Sequence, residues 1–428
     1  MALDICLSVA AILVAYALQP QFVFGWQTSN PAQPGAFRAA LIYPWFVLSS
    51  MHVVGLHDPL GDRRRWFALL RVVFAVAIAL GLCLLFLYFT SLQQIGRTIL
   101  IRTLLLSVVF MGGARVILWK LDSTMARRIG CLVSSERLAR FKALVVRNQI
   151  PFEILDPERQ ANGHTPEDIA NFFISEKVDE VVASRDFPRD GWLACLNRGI
   201  QVTDVAVFVE REFYKVSCDD LDITWLFGID LKWNHPFYHR LKRMIDVFIA
   251  GIGLLFSAPI ILVASLVTMF DSGRPVFYSQ MRVGLRGKVY RLWKLRTMRT
   301  DAETGGARWA THNDLRVTRV GRFLRKTRLD ELPQFLNVLK GEMSLIGPRP
   351  ERPEFVEWLA AEIPLYPQRH WIKPGITGWA QINYPYGASI EDAREKLCYD
   401  LYYLKNTSLL LDLHIAVRTL GTIMKGSR

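Results

Sequence analysis

Four apolar runs open the chain, near residues 2–18, 37–56, 66–90 and 98–119. A helix of about 20 apolar residues crosses a bilayer, so these runs predict a four-helix transmembrane bundle over residues 1–120. The first run lacks a basic segment before it and a small-residue cleavage site before Gln19-Pro20, so it reads as a membrane helix and not as a leader. Arg63, Arg64, Arg65 and Arg71 flank the second connection, and Lys120, Arg127 and Arg128 follow the fourth run, whereas the first and third connections are almost free of Lys and Arg. The positive-inside rule then places the N-terminus and everything after residue 120 in the cytoplasm. Arg102 and Arg115, inside the fourth run, are costly in hydrocarbon and must snorkel or face the bundle.

The pattern changes at residue 128. Short β-branched runs at 129–133, 152–155, 180–183 and 201–205 alternate with helical periodicity at 136–148, 166–177 and 190–199. That alternation predicts a small Rossmann-like α/β module within residues 121–235. A nucleotide-binding version needs glycines where backbone approaches phosphate. The first turn instead reads Cys131-Leu132-Val133-Ser134-Ser135-Glu136-Arg137, which favours a structural or docking module.

A fifth apolar run, 247–270, has cations on both sides: Arg240, Lys242 and Arg243 before it, Arg274, Arg282 and Arg286 after it. A straight span would put one cluster outside, against the positive-inside rule. Pro259 lies at the centre near Ser257, so the helix must bend and a side chain can answer the carbonyl that the proline frees. These features favour a re-entrant hairpin over 244–271 that enters the cytoplasmic leaflet and returns, with a straight fifth span as the alternative. Beyond it the pattern predicts a strand at 290–298 carrying Lys294 and Arg296, a helix near 352–362, a Gly/Pro-rich loop at 373–381, a helix at 390–404 carrying Asp400, and a last amphipathic helix at 408–424. The C-terminal domain, 236–428, is thus mostly helical α+β.

The chemistry gathers at 316–353. Asp330 and Glu331 follow Arg316, Arg319, Arg322, Arg325, Lys326 and Arg328, and Gly347-Pro348-Arg349-Pro350 comes within twenty residues. Leu332, Phe335, Leu336 and Leu339 form one helical face, and Pro333 fits only a first turn, so a helix begins beside the acidic pair. Acids there ordinarily cap the helix. So many cations around two carboxylates point instead to an anionic phosphate substrate, and an aspartate can itself attack phosphorus. Arg316 and Arg319 read as surface ion pairs.

Charge sharpens this. The chain carries a formal +13, and residues 236–428 hold nearly all of it, with 29 Lys and Arg against 17 acids. A basic half-chain suits nucleic acid, anionic lipid or an anionic substrate. The charge sits beside a membrane segment and not on an aromatic-bearing sheet, which argues against nucleic acid. The six cysteines are scattered and read as reduced thiols. Pro236 between His235 and His239 makes their metal-ligand spacing accidental, so no zinc site is expected.

Five blocks in order carry a resemblance: HRLKRMIDVFIA from His239, KLRTM at 294–298, RLDELPQFLNVLKGEMSLIGPRP at 328–350, KPGITGWAQINYPYG at 373–387 and DLYYLKN at 400–406. Residues 239–428 resemble the bacterial sugar transferases known as monotopic polyprenyl-phosphate phosphoglycosyl transferases, and the N-terminal half resembles their long form. The resemblance implies that Asp330 attacks the β-phosphate of a UDP-sugar, expelling UMP, and that polyprenyl phosphate then takes the sugar phosphate to start a capsule or exopolysaccharide repeat unit. It further implies Mg2+ held by Glu331 with Asp330. Lys294, Arg325 and Arg349 would bind phosphates, while Arg296, Gln381 and Asp400 would bind the substrate, Asp400 by placing its nucleotide. It also implies an inner-membrane protein in contact with lipid, and a homodimer by analogy. Relatives often have serine directly before the hairpin proline, whereas Ala258 intervenes here.

Two other readings remain. Tyr238/Lys242 and Tyr290/Lys294 match the Tyr-x-x-x-Lys spacing of a nucleotide-sugar dehydratase, without the glycine fingerprint such an enzyme needs. A non-catalytic membrane scaffold would use residues 1–235 for docking and leave the acidic pair inert.

Overall fold

The structure is a computed structural model that describes residues 2–17, 34–53, 65–89, 97–122, 127–148, 150–157, 165–217, 236–300, 302, 314–385, 387 and 389–424. The chain divides into two compact units, Met1–Glu212 and Phe213–Arg428.

The first unit opens with α1 (Ala2–Ala17), α2 (Pro34–Val53), α3 (Arg65–Phe89) and α4 (Arg97–Asp122), which follow the four apolar runs. They pack around Ile12, Tyr43, Val47, Met51, Val72, Val76 and Met111. Apolar side chains also cover the outside, among them Trp45, Leu85, Leu105 and Val109. The polar groups turn inward: Tyr43 and Ser107 share a hydrogen bond of 3.0 Å. Arg115 takes the bundle-facing option, pairing with Asp4 at 2.9 Å and donating to the Met111 carbonyl. Arg63 and Arg64 lie outside the described residues.

The same unit contains a parallel sheet in the order β2-β1-β3-β4: β1 (Arg127–Leu132), β2 (Phe152–Leu155), β3 (Glu180–Ala183) and β4 (Val202–Asp204). Helices α5 (Ser135–Asn148), α6 (Pro166–Ser175) and α7 (Arg189–Asn197) connect the strands. Leu132, Phe173, Val181 and Cys195 form a core. A Cβ on Gly130 would lie 2.7 Å from the Phe173 ring, so packing, and not phosphate, accounts for the one glycine near the first turn. The sequence pattern missed α8 (Val205–Phe213), which begins where the fourth strand was expected to end. Its valines favour a strand locally, but Val205, Phe208, Val209 and Phe213 are buried at helical spacing.

The second unit is organised on α9 (Pro236–Ser272), 37 residues with Pro259 inside. Among the described residues this is the one helix long and apolar enough to cross a membrane, judged by length and composition. Phe248, Leu255, Phe256, Leu262, Val263 and Phe270 are exposed on it. The Ser257 hydroxyl donates to the Leu254 carbonyl at 3.3 Å, one residue away from the carbonyl that Pro259 leaves without its usual donor. The other face takes the soluble part: Gly253 lies under the Phe335 ring, where a Cβ would come within 3.0 Å.

Two strands, β5 (Phe277–Val283) and β6 (Val289–Leu295), make an antiparallel hairpin. Then follow α10 (Arg319–Thr327), a 3-10 turn at Leu329–Glu331, α11 (Gln334–Lys340) and β7 (Ser344–Ile346). After α12 (Pro353–Glu362) and a second 3-10 turn, Tyr366–Trp371, β8 (Gly375–Thr377) pairs in parallel with β7. The chain continues through α13 (Trp379–Asn383), α14 (Ile390–Lys405) and α15 (Leu409–Met424). Ser389 and Asp392 close a capping box on α14. The expectation of six reduced thiols fails at Cys398, which is disulfide-bonded; Cys6, Cys83, Cys131 and Cys195 are free.

Candidate active site

Helix α10 is built to deliver the acidic pair. Thr318 caps its start, accepting a hydrogen bond from the Gly321 N–H, and Gly321 lies so close to the Thr297 backbone that a Cβ would come within 2.1 Å of its carbonyl oxygen. The helix stops at Arg328, whose φ of 56° is left-handed, and the chain turns at once into the 3-10 turn carrying Asp330 and Glu331. Neither acid caps α11: the cap position is Pro333, with no side-chain cap bond. Both are buried instead.

The two carboxylates differ sharply. Glu331 Oε1 accepts from Lys294 Nζ at 3.1 Å and from Arg349 Nη2 at 3.2 Å, while Arg328 Nη1 stands 3.5 Å from Oε2. Burial would raise the Glu331 pKa, but these cations outweigh it and hold the group well below the usual carboxylate range. Asp330 accepts no hydrogen bond among the described residues and is 7% exposed. Burial pushes its pKa up to about 6, reinforced by Glu331 and restrained by Lys294, Arg325 and Arg349. Lys294, set by β6, is itself pushed down by burial against the pull of Glu331. Arg325 reaches across from α10 and donates to Thr297 Oγ1 at 2.8 Å.

Arg349 is presented by a loop that interlocks with another. The Gly347 N–H donates to the Thr377 carbonyl and the Gly375 N–H to the Pro348 carbonyl, both at 2.9 Å. A Cβ on Gly375 would lie 2.1 Å from the Gly347 nitrogen, and one on Gly378 would lie 2.1 Å from the Gly347 oxygen. Gln381 stands beside this crossing; its amide donates to the Ile376 carbonyl, and its Oε1 is buried without a partner.

Two residues expected at the substrate bond to other groups, Arg296 through Nη2 alone, its Nε and Nη1 being buried without a partner. Arg296 donates to the Ser272 carbonyl at 2.5 Å, to Ser272 Oγ at 3.0 Å and to the Gly273 carbonyl at 2.6 Å. It closes the C-terminal end of α9, where a cation is favoured, and β6 ends at Leu295, so the alternation with Lys294 does not carry on to it. Asp400 is buried and takes Arg369 Nη2 at 2.6 Å. Arg316 pairs with Asp314, as a surface arginine does. Tyr238 and Lys242 both bind Asp412, at 3.1 and 2.7 Å, which removes that pair from any dehydratase chemistry. Sequence reasoning placed Arg328 among the cations before the acidic pair but did not single it out as a partner of Glu331, although their i,i+3 spacing could have marked it, and it missed Arg369, which no spacing signal marks. His235 lies outside the described residues.

Among the described residues no group of three or more His, Cys, Asp or Glu could hold a metal. Magnesium typically takes one or two carboxylates plus substrate phosphates, and Asp330, with its oxygens free of hydrogen bonds beside Glu331, offers that donor set.

A buried carboxylate that accepts no hydrogen bond among the described residues and has its pKa raised is a candidate functional group. Residues 237–426 match the family model described as bacterial sugar transferase. The chain is 46% identical over 191 residues to the UDP-N-acetylgalactosamine-undecaprenyl-phosphate N-acetylgalactosaminephosphotransferase of Aeromonas hydrophila, covering 45% of each chain. It is 40% identical over 185 residues to the UDP-glucose:undecaprenyl-phosphate glucose-1-phosphate transferase of Caulobacter vibrioides, covering 43% of this chain and 69% of that one. With the Escherichia coli protein of the same description it shares 42% over 181 residues, 39% of the relative. The match thus spans under half the length of the Aeromonas and Escherichia relatives. The chain belongs to the bacterial sugar transferase family.

Proposed function

We propose that the protein moves a sugar 1-phosphate from a UDP-sugar to a polyprenyl phosphate, undecaprenyl phosphate in its relatives' names, releasing UMP and starting a surface-polysaccharide repeat unit. The observation that carries this is the asymmetry of the dyad: Glu331 is clamped by Lys294, Arg328 and Arg349, and Asp330 is buried, ionised at neutral pH and free to react.

In the first step an Asp330 oxygen bonds to the β-phosphorus of the UDP-sugar. The bond from that phosphorus to the bridging oxygen breaks, and UMP leaves with the electron pair. In the second step a phosphate oxygen of the polyprenyl phosphate attacks the same phosphorus, and the Asp330 carboxylate departs with its pair. Lys294, Arg325 and Arg349 hold phosphate oxygens, since such transfers rest mainly on placement and charge. Burial of the dyad keeps water from the acyl phosphate. Glu331 and Asp330 would hold a magnesium ion, which would supply charge neutralisation at the diphosphate. Helices α1 to α4 span the inner membrane, and α9 enters the cytoplasmic leaflet and returns at Pro259, so that a lipid-borne phosphate meets Asp330 on the cytoplasmic side; the charge distribution around these runs supports that placement.

The test is UMP release from UDP-glucose, UDP-galactose and their N-acetylated forms, with polyprenyl phosphate and magnesium, by wild type and Asp330→Ala. Release from at least one donor, lost on substitution, is the expected result. Activity surviving in Asp330→Ala would sink the nucleophile, and no release from any donor would overturn the reaction.

A further inference from the structure

The Arg349 side chain is 41% exposed and reaches Glu331 from the open side of the site. Its backbone is held from behind. Arg369 Nη2 donates to the Arg349 carbonyl at 3.1 Å and to Asp400 Oδ2 at 2.6 Å, while Nη1 of the same guanidinium donates to the Tyr366 hydroxyl at 2.7 Å. Arg369 belongs to the 3-10 turn Tyr366–Trp371 and Asp400 to α14; they are 7% and 1% exposed. Asp400 therefore has no surface with which to meet a nucleotide.

A buried ion pair roughly breaks even against apolar packing, so stability is a weak reason for building one. What this pair adds is direction. A guanidinium is a rigid planar fork, and with one edge fixed by Asp400 and Tyr366 it can take the Arg349 carbonyl in one place only. Further bonds pin the same loop: Arg282 donates to the Pro350 carbonyl at 3.1 Å, and Gly347 is locked against Thr377. We propose that Arg369 and Asp400 are a buried positioning pair for Arg349, holding the 347–350 backbone so that its arginine is presented to the substrate phosphates, with Asp400 acting through Arg369 and never touching the nucleotide. The proposal rests on the sugar-phosphate transfer described above. It assigns to Arg369 a role that the sequence pattern does not reveal, and it moves Asp400 from the substrate to the layer behind it.

The experiment uses the full chain in nanodiscs and compares wild type with Asp400→Asn, Tyr366→Phe, Arg349→Ala and the double variant Asp400→Asn/Arg349→Ala. It reads kcat/KM for the active donor, inhibition by UMP and by uridine, and hydrogen exchange of the 345–352 peptide. Asp400→Asn is expected to lose about ten-fold or more in kcat/KM. It should weaken UMP, leave uridine binding unchanged and speed exchange in 345–352. The double variant should be no worse than Arg349→Ala, since both remove one function. Loss of uridine binding in Asp400→Asn would overturn the proposal in favour of direct nucleotide contact, and so would a double variant whose loss is the product of the two singles. If Asp400→Asn fails to fold, Tyr366→Phe, which keeps the ion pair, should give the same pattern at about two- to five-fold; full UMP affinity and unaltered exchange there overturn it. A wild type inactive with every donor defeats the reaction alone, because exchange in 345–352 still decides the positioning claim.

Discussion

Two buried carboxylates, one in each unit, stand among arginines and end in opposite states. Glu180 in the α/β module is 2% exposed and fully committed: Arg211 at 2.6 Å, Arg127 at 3.1 Å and the Thr203 hydroxyl all donate to it. Burial works against its charge, but those donors prevail and its pKa falls. Asp330 is equally hidden but accepts no hydrogen bond among the described residues, and its pKa rises to about 6. A buried carboxylate with a full set of donors is accounted for by its partners, whereas one that accepts no hydrogen bond and has its pKa raised is a functional-site candidate. By this measure the module reads as scaffold and the 328–331 turn as machinery.

The widest gap between the two is in turnover. Asp330→Asn keeps the size of the side chain and removes the attacking oxygen's charge, so UMP release should fall by about 1,000-fold or more. Glu180→Gln should leave UMP release per folded molecule within about three-fold of wild type. A single-turnover assay with radiolabelled donor checks both, and a phosphorylated protein band, seen in wild type before lipid is added, should be missing only in the Asp330 variant. Comparable losses in the two variants would erase the contrast.

In stability the order reverses. Glu180→Ala leaves Arg127 and Arg211 with Glu212 as their remaining partner in the module, so the loss should fall at or below the about 3–5 kcal/mol typical of breaking a buried pair from one side. Protease nicking within 127–213 and a lower denaturation midpoint for that region are the expected readouts. If the module resists denaturant as before, Glu180 is not the keystone its three donors suggest.

Asp330→Asn should instead stabilise. A carboxyl raised from 3.8 to about 6 on folding favours the folded state below pH 4 relative to higher pH, and that advantage is lost as pH climbs through 6. Above pH 6 the folded wild type therefore carries a penalty of about 3 kcal/mol that asparagine escapes. Thermal melts in chelator should show Asp330→Asn above wild type at pH 8 and level with it near pH 4. A gain that is flat with pH would mean the cost of Asp330 is not one of ionisation.

These contrasts also mark what the chain discloses by itself. The apolar runs give α1 to α4 because long stretches of apolar composition can be read directly from the chain. The acidic pair stands out because six cations crowd it within fifteen residues. What stayed hidden is relational. Helix α8 is hidden because its valines favour a strand locally while burial favours a helix, and β5 because its alternation puts Gln280 and Arg282 on the half-buried side and exposes Phe277 and Met281. Arg296 lies one residue past the end of β6, where strand alternation does not set its direction, and the role of Arg369 is not legible because its partners Arg349 and Asp400 lie 20 and 31 residues away with no repeating interval. Residues that touch substrate announce their chemistry, but residues that aim them do so only in three dimensions.

The smallest effect concerns how the catalytic unit is closed. The Trp379 indole N–H donates at 2.8 Å to the carbonyl of Tyr214, which lies outside the family-matched stretch of 237–426. The neighbouring residues are tied down as well, Val216 N–H to the Cys398 carbonyl at 3.0 Å and Lys215 to Glu395 at 2.8 Å. Segment 213–217 thus packs against the family-matched stretch at Trp379, Glu395 and Cys398. Trp379→Phe keeps the stack on Tyr402 and removes the donor, so it should cost about 1 kcal/mol, the net worth of one such bond. That is a drop of a few degrees in Tm, with UMP release at low temperature close to wild type, because no phosphate-binding group moves. Lys215→Met should cost a similar amount by removing its 2.8 Å pair with Glu395. Should Trp379→Phe abolish turnover while the fold melts normally, segment 213–217 would belong with Asp330 as machinery and not with Glu180 as scaffold.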